Sequence, residues 1–489
     1  MIKQLSKQTF LFGLGNALAS LGIILLIPLY TRALSQPEYG SFEMIVLSVS
    51  LLYLILENGL SSAVFRFVIR KDVTNSVQAA STIFLGTLVI AVITGTIIYM
   101  FRAGLSLRLL GSTDFSSILV WSGVFLIGRL LLAVPLALLR VDGQTVAYGL
   151  TAFIRLAAQV ILGVYLVLNR GLGLVGAVMA LAVATWFQLL TVILFVRKYL
   201  QPKWSWSFFR RVWFFALPFV LLNLSLMGLA SIDRFLVKHA LGLGAVAVYS
   251  INARMTLVIV LVVQAFQLAW PPVYFGQHQN PDAGLLFARA SRYLLIVMGF
   301  VGVAITVFSD EILTILAPSS YSAGLVVVPW LCLANIFYGV FIATAIGFNV
   351  RDRTWHVSWI GAAAVFIQLA FGLLLTPRLG MLGAALATVL GYFTLLVTSL
   401  CVCLYLYPVP YEWKRLGGIA LAATMASIAN KALDLQLSNP SMHFVVDFSS
   451  IVAYVGLLVF FRGVSRQEIK LMIAEVNRFR VSLSTTIRK

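Results

Sequence analysis

Apolar residues run along this chain in long blocks, separated by short joints rich in glycine, proline or charge. A helix needs about 20 mainly apolar residues to cross the hydrocarbon core of a bilayer. By that rule the pattern predicts fourteen spans: 8–34, 41–65, 78–101, 115–140, 145–168, 172–197, 211–237, 244–270, 284–308, 322–349, 354–376, 379–407, 415–432 and 445–461. No joint between spans exceeds 13 residues, which leaves no room for an extramembrane catalytic module. Two lysines precede the first block, as in a signal peptide. The apolar run continues past Pro28 without a small-residue cleavage site, so the pattern predicts a retained first span.

The blocks repeat. Thr145, Gln159 and Gly163 map onto Thr354, Gln368 and Gly372 at one offset of 209, and Leu172-Gly173-x-x-Gly176-Ala177 maps onto Leu379-Gly380-x-x-Gly383-Ala384. Spans one and seven match more loosely, Tyr30-Thr31-Arg32 against Asp233-Arg234-Phe235. Six spans per repeat is an even number, so the repeats share one orientation, related by an axis along the membrane normal. The predicted fold is therefore an all-α polytopic membrane protein of about 14 transmembrane helices. It has two six-helix lobes related by a pseudo-two-fold, 1–200 and 201–407, then two extra helices in 408–462. A basic amphipathic tail follows at 463–489, with Ile469, Met472, Ile473, Val476 and Phe479 on one face.

Composition agrees: 61% of the 489 residues are hydrophobic and 10% charged, against about 25% charged in soluble domains. The net charge of +19 would suit a nucleic-acid partner. However, 24 of the 35 Lys and Arg fall on the side of the termini, 8 on the other, and three, Arg129, Arg155 and Arg254, deep in spans. That bias predicts cytoplasmic termini in an inner or plasma membrane and no nucleic acid. Residues 203–213 (KWSWSFFRRVW) read as an interfacial belt. Cys332, Cys401 and Cys403 lie in apolar runs as packing residues, and no metal-ligand spacing occurs.

Several motifs resemble one family. The stretch 28–40 (PLYTRALSQPEYG), Asn58-Gly59-Leu60 ahead of Arg66, Ser231-Ile232-Asp233-Arg234-Phe235, and Val248-Tyr249-Ser250-Ile251 are similar to the polysaccharide (O-antigen) repeat-unit flippases of the Wzx type. These belong to the MATE-like multidrug/oligosaccharidyl-lipid/polysaccharide exporter superfamily. The resemblance implies two lobes around a central cavity. It also implies alternating-access transport of a polyprenyl-diphosphate-linked glycan from the cytoplasmic to the outer leaflet, for cell-surface polysaccharide biosynthesis, with no cofactor and no catalysis.

Charges inside a membrane usually face a cavity or a partner. Thr151, Arg155 and Gln159 form one stripe. Ser122 and Arg129 form a second, Ser250, Arg254 and Gln264 a third, Asn335, Tyr338 and Asn349 a fourth, and Ser50, Tyr53, Glu57 and Ser61 a fifth. Guanidinium forks bind diphosphates bidentately, so Arg129, Arg155 and Arg254 are the candidate substrate-binding residues. Arg66 would receive the headgroup, and Arg32 and Arg234 would contact it toward the outer side. The alternatives are structural: Arg129 and Arg155 paired with Glu57, Arg66 a positive-inside flank, Arg32 and Arg234 helix-end residues. Arg254 has no acidic neighbour in sequence other than Asp233, and the adjacent Asp233 and Arg234 are expected to need separate partners. Glu57 and Asp233 are the candidate proton or sodium sites. The rival functions are a cation-coupled multidrug exporter, a membrane glycan polymerase or ligase, and a scaffold. An arginine-lined cavity argues against the first, the short joints against the second, and the polar stripes against the third.

Overall fold

The computed structural model describes residues 25–57, 59–69, 76–112, 115–351, 353, 355–434, 440–461 and 463. Among them the chain is helical throughout, with no strand. Among the described residues twelve helices are long and apolar enough to cross a membrane, and a shorter apolar helix, Val445–Phe460, corresponds to the last predicted span. Most of the first predicted span and the amphipathic tail lie outside the described residues.

Spans three to six fall where the apolar runs put them, at Ser76–Met100, Ser116–Val141, Thr145–Asn169 and Gly173–Tyr199. The region read as spans seven and eight keeps its joint but is broken within each span. It forms Trp206–Leu229, Ile232–Met255 and Leu257–Gln277, and the middle helix is interrupted at Gly242, whose φ is +83°. The first of these starts earlier than the hydropathy suggests because Ser205 caps it, its Oγ accepting from the Phe208 amide.

The chain divides into two compact units. One comprises Met1–Arg254, Leu313–Val327 and Thr354–Leu395. In lipid there is little hydrophobic drive between helices, so close approach relies on small residues. Ala177, Ala180 and Ala184 are fully buried on Gly173–Val196, and Gly128 faces Trp186, whose Nε1 donates to the Val124 carbonyl at 3.0 Å. The repeated turn has repeated geometry. Gly173 and Gly380 have φ of +51° and +62°, and Gly176 and Gly383 lie against the Leu166 and Leu375 carbonyls, 209 residues apart. Gln368, the counterpart of Gln159, donates to the Leu229 carbonyl at 3.2 Å and to Thr388 Oγ1 at 3.0 Å.

The tightest approach in this unit is at Gly40. A Cβ there would lie 1.9 Å from the Leu243 carbonyl oxygen, a backbone atom with no rotamer to give way. Gly40→Ala should therefore lower the melting temperature of the detergent-solubilised protein and its folded yield. Gly104→Ala, where a Cβ meets open space, is the control that should leave both unchanged.

Asp142, in the joint after Ser116–Val141, ties that joint to the end of the helix Gly173–Tyr199. It accepts from Tyr199 Oη at 2.5 Å and Gln144 Nε2 at 3.2 Å, and pairs with Lys198 at 2.9 Å. Burial pushes its carboxyl up, but the Tyr199 and Lys198 bonds outweigh burial and hold it below the ordinary range. A depressed folded-state pKa contributes stability that is complete above the unfolded value of about 3.9 and is lost as pH falls through the folded one. Asp142→Asn should thus melt earlier than the parent at neutral pH, with the gap closing in acid.

The second unit comprises Met255–Ile312, Val328–Arg353 and Leu396–Lys489. In it Trp413–Asp434 packs on Ala283–Val307 and Pro440–Phe460 through Val303, Ile419, Ala422, Tyr454 and Leu458. Tyr454 Oη donates to the Ile296 carbonyl at 3.1 Å, over Gly299. Asn335 of the predicted fourth stripe donates to Thr256 Oγ1 at 2.8 Å. Arg292 is 1% exposed and pairs with Glu412, which also holds Arg415 at 3.2 Å.

Candidate functional site

The helices Gln36–Glu57, Ser116–Val141 and Thr145–Val164, all in the first unit, bring two predicted arginines together. Ser50 and Tyr53 are three residues apart and so share a helix face. Arg129 Nη1 donates to Ser50 Oγ at 2.9 Å, and its guanidinium carbon lies 4.4 Å from the Tyr53 ring centroid and 5.7 Å from that of Phe125. Arg155 is half-buried, with Arg129, Tyr148 and Tyr53 as its electrostatic neighbours. Among the described residues no hydrogen bond or ion pair reaches its guanidinium. Farther along, Arg140 Nη2 donates to Tyr148 Oη at 2.6 Å. Arg129 thus rests on Tyr53 and Arg140 on Tyr148, with Arg155 near both tyrosines.

Glu57 does not neutralise these cations. Its two carboxylate oxygens accept from the amides of Gly59 at 2.9 Å and Ser61 at 2.6 Å, bridging the break between Gln36–Glu57 and Leu60–Ile69. The structural alternative of an Arg129/Arg155–Glu57 pair is not formed. Half-buried cations without a carboxylate are costly in a low-dielectric setting. An incoming anion would relieve that cost.

Arg254 is in a different state. It pairs with Glu43, with side chains 14% and 10% exposed, and Tyr39 is an electrostatic neighbour of both. The expectation that Arg254 lacked an acidic neighbour other than Asp233 is therefore corrected. The partner lies 211 residues away in sequence, and hydropathy placed Glu43 at a span end. Tyr39 and Glu43, four apart, share one face, which is the signal the sequence did offer. Beside the pair is a cavity of about 50 Å³ lined by Tyr30, Tyr39, Phe42, Gln159 and Arg254 among others. It has room for a few waters. Tyr30 Oη is buried with no hydrogen-bond partner among the described residues.

Asp233 and Arg234 do pair, at 3.1 Å, contrary to the expectation from adjacency. Asp233 sits in the first turn of Ile232–Met255, where amides lack intrahelical partners, so its carboxylate folds back onto the Arg234 amide at 2.9 Å. It also accepts from Tyr249 Oη at 2.8 Å, and Arg234 Nη1 donates to the Ala230 carbonyl at 2.5 Å. Arg32 donates to the carbonyls of Pro28 and Thr314, both at 3.3 Å, and Thr31 Oγ1 to that of Leu316 at 2.8 Å. Arg66 is exposed at the end of Leu60–Ile69, its guanidinium carbon 4.3 Å from the Phe215 ring centroid. Of the eight predicted site residues, then, only Arg129 and Arg155 form a cluster that leaves cationic donors open.

The family model described as Polysaccharide biosynthesis protein matches residues 29–324. No curated protein is significantly similar to the chain. Solved structures are. The lipid II flippase MurJ in an inward closed conformation is 13% identical, over 92% of this chain and 98% of that one, with a TM-score of 0.74. An inward-facing multidrug resistance MATE family transporter of the MOP superfamily is 17% identical, over 82% of this chain and 97% of that one, at 0.64. A MOP superfamily transporter from Pyrococcus furiosus, described as having a binding pocket of reverse polarity, is 14% identical, over 82% and 94%, at 0.59. At such identities the likeness is one of fold.

Proposed function

Because this chain belongs to the polysaccharide biosynthesis protein family, we propose that it is a flippase for a polyprenyl-diphosphate-linked oligosaccharide. It moves this lipid from the cytoplasmic to the outer leaflet of the inner or plasma membrane by alternating access, with both chain termini cytoplasmic. The observation that carries the reading is the Arg129–Arg155 pair, which has no carboxylate counter-ion among the described residues. Two guanidinium forks side by side match the acceptor oxygens of a diphosphate. Ser50, Tyr53 and Tyr148 offer hydroxyls and ring faces to the sugars next to it. Polar sugar crossing bare hydrocarbon would lose its hydrogen bonds to water at a cost of several kcal/mol per group; a polar groove replaces them.

With the cell interior negative, outward movement of an anion is favourable by about 2.3 kcal/mol per charge per 100 mV. Resetting the empty carrier is the step that an ion would drive. Glu57 and Asp233 are the carboxylates this reading assigns to it, each accepting hydrogen bonds on both oxygens. Glu43 holds Arg254, which lines the water-sized cavity, in an ion pair outside the phosphate-binding set. Arg32 and Arg234 stay with the backbone carbonyls and Asp233, as helix-end residues.

The test is reconstitution in liposomes with a fluorescent polyprenyl-diphosphate sugar, following leaflet exchange and the mass of the recovered lipid. The reading expects exchange with unchanged mass. Export of a cationic dye in place of the anionic lipid would instead support the multidrug reading, and a lengthened or transferred glycan would support an enzyme.

A further inference from the structure

The stretch 197–214, which joins Gly173–Val196 to Trp206–Leu229 and includes the first turns of the latter, carries charge that the transport site does not use. Arg197, Lys198, Lys203, Arg210 and Arg211 are all exposed, and residues 197–214 contain no Asp or Glu. The acid that does reach it, Asp142, is engaged by Lys198 and Tyr199. Among the described residues the other four cations have no carboxylate partner.

The segment is held in place. Ser81 Oγ donates to the Tyr199 carbonyl at 2.7 Å and accepts from the Gln201 amide at 2.9 Å, and Thr82 Oγ1 donates to the Lys203 carbonyl at 3.4 Å. On this frame the aromatic rings form a ladder. Trp204 lies 5.2 Å from Phe209 and 6.2 Å from Trp206, and Phe209 lies 6.0 Å from Trp213, all inclined by less than 40°. Trp206 is 67% exposed and Trp204 43%. A separate edge-to-face group, Phe208, Phe67 and Phe215, lies by Arg66.

Indole rings favour the headgroup level of a bilayer. Guanidiniums and ammoniums fixed at that level meet phosphodiester oxygens, and each adds attraction to an anionic leaflet. We infer that Lys203, Arg210, Arg211 and the Trp204–Trp206–Phe209–Trp213 ladder form a platform that binds anionic phospholipid headgroups. The inference requires only that the helices sit in a bilayer, and is independent of what the protein transports.

The experiment uses the full-length protein in nanodiscs of phosphatidylcholine doped with acyl-brominated phosphatidylglycerol or with acyl-brominated phosphatidylcholine. Quenching is read as the difference between the parent and Trp204→Phe/Trp206→Phe, which isolates the two exposed indoles. Brominated phosphatidylglycerol should quench this signal at lower mole fraction than brominated phosphatidylcholine. The preference should fall by about fivefold for each cation removed in a Lys203→Gln, Arg210→Gln, Arg211→Gln series, and should shrink in high salt for the unmodified chain, where folding is not in question. Equal quenching by the two lipids overturns the inference. So does a preference that survives both the triple substitution and high salt, or one shown for a polyprenyl diphosphate but not for phosphatidylglycerol.

Discussion

Replacing Arg129 and Arg155 together by alanine should abolish leaflet exchange of a polyprenyl-diphosphate sugar while leaving the protein folded. A hydrogen bond to a charged group contributes about 1.5–3 kcal/mol, so losing two forks should weaken substrate binding by more than about a hundredfold. Stability should move the other way. Arg155 has no bonded partner among the described residues, so Arg155→Ala removes a desolvated charge and should raise the melting temperature. Arg129 has Ser50 and the Tyr53 ring to lose, so its alanine variant should be close to neutral. Lysine at either position keeps the charge but not the fork, and should fall between parent and alanine in rate. Unchanged exchange in the double variant would remove the proposed phosphate site.

The second large effect is on stability, at the Glu43–Arg254 pair. Removing one partner of a buried ion pair strands the other, typically at a cost of 3–5 kcal/mol. Glu43→Ala should therefore melt well below the parent. Glu43→Ala combined with Arg254→Met should recover most of the loss, because it leaves no stranded charge. A double variant as unstable as Glu43→Ala would mean that the defect comes from Tyr39 or from packing, not from the arginine. The conservative Glu43→Gln keeps an acceptor for the Arg254 guanidinium and should melt between the parent and Glu43→Ala.

The legible parts of the chain were those decided by local pattern. Uninterrupted apolar runs located Ser76–Met100 through Gly173–Tyr199, because a long apolar helix in lipid has few alternatives. The Leu-Gly-x-x-Gly-Ala repeat located two turns whose glycines need φ values that other residues avoid. Between Trp206 and Gln277 the apolar runs located the joint, where Gly242 breaks the helix. They did not mark the interruptions at Ala230–Ser231 and Thr256, which fall inside the two runs. The same division holds at the site. Arg129 and Arg155 stand out in sequence as charges deep in apolar runs. Glu43 does not, because what makes it internal is an arginine on a distant helix. Asp233 and Arg234 were misjudged because the helix-face argument assumes a continuing helix, and Asp233 lies in a first turn.

The unit that holds the candidate site draws on three separate stretches of chain, the last being Thr354–Leu395. A ribosome must therefore deliver more than three quarters of the polypeptide before that body can close. Until then Ser225 and Leu229 wait for Ser358 and Gln368, their later-made neighbours. Nascent spans must be kept apart from wrong partners throughout that interval. Assembly in the cell thus depends on whatever insertase shelters them, and a stop codon anywhere before residue 354 removes the early-made half's function along with the late one's.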